Sequence, residues 1–464
     1  MVTRIMAAVL VPTLVLAAVW NWADDRESAQ PVVTVPGGTS AESDVPSGAM
    51  TAVLSWRRVA DAVVADEIAD RRRLDLDEIA AQIAGDACLV IDTGSEVTVA
   101  NDRTVPLGPA QAVVVAAAAV MLLGPDHRPV TTLIGPAPVD GVIAGDITMV
   151  GGGDALLGTS PVSGAPRRDP LPATPLESLA GALGAAGVVA VSGDVIGVAD
   201  RYADIDRPQA WDVPLSEAAR VGALLVDRGR IRTGPENFAL DPAQGAARTL
   251  FEVLREQGIA VEGSARTAPG APSPGDGVEV LAVVHGAALG DVITGWLSGG
   301  DASVITEGWA EFTDALLMEI GVAVAESGTR AGGAAAVAAL VDGLAQGDPA
   351  TVAGWELSVD LRDGPGLDPE STASCGTLAW AVTVIEALDP DGSTIGFATP
   401  APGDRLTRVT DVGAGPRARI VVAGPDSIVD EVTDRARRLH FGVGAAFGVP
   451  ALDDLAPDGS EVGP

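Results

Sequence analysis

The stretch that decides the fold is Pro106–Thr132, PLGPAQAVVVAAAAVMLLGPDHRPVTT. From Val113 to Leu123 every residue is apolar, and Gly124 follows at once. A helix that is apolar all round belongs in a protein core, and a glycine just past its end is a C-terminal stop. The run is too short to span a bilayer. The reading is therefore a buried helix at the centre of a globular domain.

Working outward, Cys88–Ile91, then Asp92-Thr93-Gly94-Ser95, then Val97–Val99 reads as a β-hairpin around a glycine turn. The later part of residues 49–84 has helical spacing. Downstream of the apolar helix, Val130–Ile134 and Val142–Val150 read as strands, the second running into Gly151-Gly152-Gly153-Asp154. No helix start follows that glycine run closely, so it reads as a tight turn between strands rather than a phosphate cradle. Thr174-Pro175 carries the pattern of an N-cap with proline at the first helical position. The helix starting there hands over at Gly187 to a strand, VVAVSGDVIGV. Residues 241–258 form another helix, and 288–325 hold two apolar helices. Residues 356–361 and 417–423 read as strands, and 425–440 as a helix. No internal repeat emerges.

At the N-terminus, Arg4 precedes an apolar run from Ile5 to Trp20, with Asp24 and Asp25 after it. Basic before and acidic after is the orientation of an export signal or membrane anchor, covering residues 1–23. Residues 24–48 are polar and rich in Pro, Gly and Ser, a flexible linker. The end, 449–464, is a loose acidic tail. The expected location is extracytoplasmic, secreted or anchored. There Cys88 and Cys375 can pair; the other reading is two buried thiols.

Composition removes several function classes. The 464 residues carry a net charge of −34, from 63 acidic and 29 basic side chains. Such a chain repels nucleic acid and anionic membrane surfaces. All 29 basic residues are arginine; there is no lysine. That forbids a P-loop, a Schiff base and every lysine-dependent motif. Two cysteines and three scattered histidines (His127, His285, His440) make no metal or cofactor site. His127, in Gly-Pro-Asp-His-Arg, reads as a loop residue.

In this order the segments resemble a known family. VLSWRRVADAV with ADRRRLDLDEIAAQIAGDACLVIDTGS, then the quoted 106–132 stretch, VDGVIAGDITMVGGGDALL, GVVAVSGDVIGVADRYA and LRDGPGLDPES are similar to successive landmarks of class C low-molecular-mass penicillin-binding proteins. These are D-alanyl-D-alanine carboxypeptidase/endopeptidases, here in their actinobacterial form. The resemblance runs from about residue 50 to 400. It implies an α/β (α+β) fold: a penicillin-recognising serine-transferase (β-lactamase-like) domain split by an inserted β-rich domain. The first part would be 49–130, the insertion 131–278 and the second part 279–448.

The family's chemistry needs Ser-x-x-Lys, Ser-x-Asn and Lys-Thr-Gly. In register, Pro109 stands where the serine should and Ala112 where the lysine should. Asp301 and Ser303 stand in place of the second motif. The three asparagines (Asn21, Asn101, Asn237) have no serine two positions before them. After Cys375 the chain reads as shortened, with no recognisable strand for the third motif; Ser374-Cys375-Gly376-Thr377 imitates it at the wrong distance. Arginine stays protonated and cannot replace the base. It can clamp a carboxylate, and Arg408, Arg417 and Arg419 are the candidates. Asp301 with Glu307 could form a carboxylate pair, against the simpler reading of a solvated face or helix cap.

The expectation is a catalytically silent protein of this family, binding peptidoglycan stem peptides or a cell-wall enzyme. The acidic charge favours a basic protein partner. The alternatives are a working carboxypeptidase/endopeptidase with a substituted site, a structural envelope protein with a filled cleft, and an exported α/β protein outside the family.

Overall fold

The computed structural model describes residues 80–435, apart from 82, 84, 93–96, 102, 161–173, 215–217, 232–233, 274, 276, 298–308, 348–354, 389–396, 402 and 413–417. All of them belong to one compact unit, Ala62–Pro464. The apolar run 5–20, the linker 24–48, the 449–464 tail, Asp301, Ser303, Glu307 and Arg417 lie outside the described residues.

The strands in chain order are β1 (Cys88–Asp92), β2 (Val97–Ala100), β3 (Val130–Gly135), β4 (Val142–Ile143), β5 (Ile147–Val150), β6 (Leu157–Gly158) and β7 (Thr174–Pro175). Next come β8 (Ala190–Val191), β9 (Val195–Val198), β10 (Arg230–Ile231), β11 (Gly234–Phe238), β12 (Ala260–Val261), β13 (Ala265–Thr267) and β14 (Glu279–His285). The last are β15 (Val359–Asp360), β16 (Thr372–Ala373), β17 (Phe397–Ala401), β18 (Arg405–Val412) and β19 (Ala418–Pro425). The helices are α1 (Gln111–Leu123), α2 (Glu177–Ala185), α3 (Pro242–Glu256), α4 (Leu289–Leu297), α5 (Trp309–Ala325), α6 (Arg330–Ala345) and α7 (Cys375–Glu386). Residues 426–435 add α8.

A five-stranded antiparallel sheet, ordered β17-β18-β19-β1-β2, joins the two ends of the described chain. Side chains of β1 alternate between its faces, as the pleat requires. Cys88 and Val90 face the main core with α1, α5 and α7, whereas Leu89 and Ile91 meet Val429 and Val432 of α8. Both faces are covered, which is why Cys88–Ile91 is apolar throughout. Helix α1 is buried from Gln111 to Val120 and ends at Gly124 (φ 88°).

A second apolar core draws on residues from Leu133 to Val284. It lies under a mixed sheet ordered β13-β9-β5-β3-β14 and a three-stranded parallel sheet ordered β12-β8-β4, with α2 and α3 packed on them. Helix α3 starts as expected: Asp241 caps it by accepting from the N–H groups of Ala243 and Gln244, and Pro242 follows.

Two expectations need correction. Thr174-Pro175 does not start a helix. Thr174 N–H donates to Leu156 O and Leu176 N–H to Gly158 O, so this backbone is a strand beside β6, and α2 begins two residues later without a side-chain cap. VVAVSGDVIGV is two strands, because Ser192–Asp194 break it between two sheets. The stretch from Cys375 onward holds a helix and strands that the sequence reading did not identify. Ser374 caps α7 by accepting from Thr377 N–H, and β17 and β18 follow.

Cys88 and Cys375 form a disulfide with Cα atoms 5.7 Å apart, tying β1 to the start of α7. Its loop closes 287 positions of separation. Replacing both cysteines with serine is expected to lower stability by about 2–5 kcal/mol, read as the urea midpoint.

Helix α5 carries three buried acids: Glu311, Asp314 and Glu319, exposed by 1%, 0% and 4%. Each meets an arginine from elsewhere. Arg228 lies 3.3 Å from Glu311, Arg330 lies 2.7 Å from Asp314, and Arg201 forks onto both Glu319 oxygens. Asp314→Ala leaves the Arg330 cation buried without its carboxylate and is expected to cost about 3–5 kcal/mol. Asp360→Ala, which breaks the exposed pair with Arg362, should cost at most about 1 kcal/mol in the same denaturation series.

Candidate functional site at the start of helix α1

Leu107 leads into a single 3-10 turn, Gly108–Ala110, that delivers the chain to α1. Gly108 has φ +55°, and a Cβ there would meet Pro400 O at 2.6 Å and Ala401 Cα at 2.7 Å. On the other side, a Cβ on Gly366 (φ +75°) would meet Gly108 O at 2.0 Å. The turn is therefore held backbone to backbone between β17 and the 363–368 loop, and glycine is needed at both contacts.

Below the turn sits Asp363, which is 0% exposed. Its Oδ1 accepts from Gln111 Nε2 (3.1 Å), Gly366 N–H (3.1 Å) and Ser371 Oγ (3.2 Å). Its Oδ2 accepts from Trp211 Nε1 (2.7 Å), Leu367 N–H (2.8 Å) and Asp368 N–H (2.8 Å). Burial, and then the Asp314 charge, push the carboxyl up to about 6, against the pull of the Asp368 N–H, Trp211 and Leu367 N–H. Gln111 also donates to Asp363 O at 2.7 Å, which fixes the first turn of α1 to this loop.

Pro109 is half-buried in the turn, and Ala112, the second residue of α1, is fully buried in the core. Neither side chain can give or take a proton. Asp301 and Ser303 fall outside the described residues. Of the carboxylate-clamp candidates, Arg408 pairs with Asp430 of α8 at 2.9 Å, on the sheet face away from α1. Arg419 is held by Glu386 and by Thr383 Oγ1 on α7. Neither is aimed at the turn, and Arg417 falls outside the described residues. Cys88 and Cys375 are brought together, as a bridge. His127 follows the other end of α1, 3.7 Å from Glu319. Among the described residues no cluster of His, Cys, Asp or Glu is placed to hold a metal ion.

The carboxylate hub at Asp363 and the acid–arginine pairs of α5 were not anticipated. Their one visible trace in the sequence is the spacing of Glu311, Asp314 and Glu319 within an otherwise apolar helix.

Known proteins resemble this chain in part of its sequence and in its fold. Residues 64–239 match the D-Ala-D-Ala carboxypeptidase 3 (S13) family. Among solved structures the chain is similar to penicillin binding protein 4 from Haemophilus influenzae, with a TM-score of 0.58 and 13% identity over 79% of this chain and 99% of that one. The same protein complexed with a β-lactam gives a TM-score of 0.51, again at 13% identity with the same coverage. A predatory endopeptidase from Bdellovibrio bacteriovorus, in complex with an immunity protein, gives 0.43 at 13% identity over 78% and 94%. No curated protein matches significantly. The fold is thus that of the penicillin-binding serine peptidases. The carboxypeptidase match includes the 3-10 turn and α1, where this chain has Gly-Pro-Ala-Gln-Ala.

Asp363→Asn exchanges an acceptor for a donor facing N–H groups and should destabilise the fold by about 1–3 kcal/mol or more at any pH. A carboxyl raised by folding contributes stability that is fully present below its unfolded value, about 4, and is lost as pH rises through about 6. The gap between wild type and Asp363→Asn should therefore shrink between pH 4 and 6, by up to about 3 kcal/mol, in urea titrations.

Proposed function

We propose that this chain is a catalytically silent relative of the D-Ala-D-Ala carboxypeptidases, of class C actinobacterial type, that works outside the cytoplasm by binding. One observation carries the reading: the turn that should present a nucleophile is Gly108-Pro109-Ala110, sealed against the backbone of Pro400 and Ala401. Acyl transfer needs a nucleophile, a base to take its proton and donors for the oxyanion. The turn offers no hydroxyl, Ala112 offers no amine, and the chain has no lysine anywhere to supply one.

The neighbouring edge argues the same way. Strand β17 is the outer strand of its sheet, and the Pro400 carbonyl faces Gly108. Proline brings no N–H to that edge, so an extended peptide adding there would lose a backbone donor. This favours a protein partner over a stem peptide in the cleft. The net charge of −34 makes a basic partner, such as a cell-wall enzyme, the better fit. The same contact favours a second reading, a structural envelope protein whose cleft is filled by the fold itself. A location outside the cytoplasm fits the disulfide. No helix among the described residues is long and apolar enough to cross a membrane.

The test is incubation of the purified chain with a labelled penicillin and measurement of its intact mass. No adduct is expected where an active homologue is fully acylated. A stoichiometric adduct would overturn the proposal, and its mapped position would identify a nucleophile.

A further inference from the structure

The sheet β13-β9-β5-β3-β14 packs α2 and α3 on one face. Side chains alternate between the faces along each strand. Ile147 and Met149 of β5 and Val195 of β9 enter the apolar core under those helices, so Thr148 and Ile196 point to the opposite face. Register sets Thr148 of β5, Ile196 of β9 and Arg266 of β13 in one row across that face. A groove of about 400 Å³ lies over Thr148 and Ile196, walled by Pro136, Ala268, Pro272 and Val278. A mostly apolar hollow of roughly 300–1,000 Å³ with a few polar groups is the usual form of a ligand site.

Two features give the groove its chemistry. Thr148 is only 3% exposed and lines the floor, and its hydroxyl has no hydrogen-bond partner among the described residues. A buried hydroxyl gains from a neighbour that both donates and accepts, as a peptide amide does. The rim is acidic. Asp146 Oδ2 and Asp194 Oδ2 accept from Arg266 at 2.8 Å and 2.6 Å. Asp200, which is exposed, accepts from the N–H of Gly270 at the edge of the groove. Three carboxylates there meet one guanidinium, and the arginine next to Asp200, Arg201, is forked onto Glu319. The excess of negative charge disfavours a fatty acid or other anion and favours a cationic partner.

We propose that this groove takes an extended basic segment of a partner protein. One aliphatic side chain of the segment lies between Ile196 and Pro272, the amide beside it bonds the Thr148 hydroxyl, and a flanking arginine or lysine meets Asp200. Gly270 and Pro272 are exposed, so the groove is open along one side and a chain can pass through it. The aliphatic contact supplies burial, and the rim charges supply selection for a basic sequence. Such a segment belongs to the basic partner inferred above, so the site rests on that reading of the chain as a binding protein and not on the missing nucleophile.

The test is fluorescence anisotropy of a labelled peptide, acetyl-Arg-Ala-Leu-Ala-Arg-amide, titrated with the full chain beside Glu-Ala-Leu-Ala-Glu and Arg-Ala-Gly-Ala-Arg controls. Saturable binding of the first is expected, with each control weaker by about tenfold or more. Thr148→Val keeps the shape and removes the hydroxyl, and should weaken binding roughly three- to tenfold. Asp200→Asn, at an exposed position that can still accept from Gly270, should weaken it by roughly threefold. Circular dichroism reads the folding of each variant, and if Thr148→Val does not fold, Asp200→Asn decides. Binding that survives both substitutions, or that Arg-Ala-Gly-Ala-Arg matches, would overturn this site and leave the basic-partner reading standing. No saturable binding, or equal binding of Glu-Ala-Leu-Ala-Glu, would overturn both.

Discussion

A carboxylate taken out of water must be met by a cation or saturated with donors, and this fold is arranged around four that are. Glu311, Asp314 and Glu319 reach Arg228, Arg330 and Arg201, residues that come from well-separated parts of the chain. Asp363 takes the other route and draws six donors, from Gln111, Trp211, Ser371 and its own loop. Apolar contacts between small side chains such as those of α1 define registry poorly, because one alanine packs much like another. The buried charges supply that registry: a slip at any of them would leave an ion unpaired. Their worth lies in that specificity more than in net stabilisation. Arg330 shows the reach of one such group, since it also donates to the carbonyls of Asp204 and Asp206 and lies over the Trp211 ring.

Under the proposed reading, the same arrangement lets a peptidase fold stand without peptidase chemistry. A working site must keep a hydroxyl and an amine poised in a gap large enough for substrate, which forgoes packing at the heart of the domain. Here the corresponding turn carries no polar side chain, and its backbone lies against β17 on one side and the Gly366 loop on the other. Under the proposed reading, losing the amine and hydroxyl removed both the need for the gap and the cost of maintaining it. Asp363 then serves to anchor α1, through Gln111, to a loop that in the resemblance is only a landmark.

What was legible in the sequence had local causes. The α1 reading rested on an unbroken apolar run and Gly124, signals written within a few residues. Thr174-Pro175 carried an equally clean local signal and was misleading, because pairing with Leu157-Gly158, across a long stretch of chain, overrode it. Strands β17 and β18 were missed because Pro400 and the neighbouring glycine and proline residues read as loop, while an edge position tolerates a proline. The donors around Asp363 come from as far away as Gln111, and no periodicity in the sequence encodes such a meeting. The clamp candidates Arg408 and Arg419 were chosen by residue type alone, and the fold gives each an acidic partner of its own.

The most direct test of the central claim is release of D-alanine from a peptide ending in D-Ala-D-Ala, followed with the purified chain at high protein concentration. The proposed silence predicts no release above the protein-free blank, with or without added penicillin. Turnover proportional to protein concentration and abolished by penicillin would contradict it, and would mean that a group beyond the sealed turn performs the chemistry.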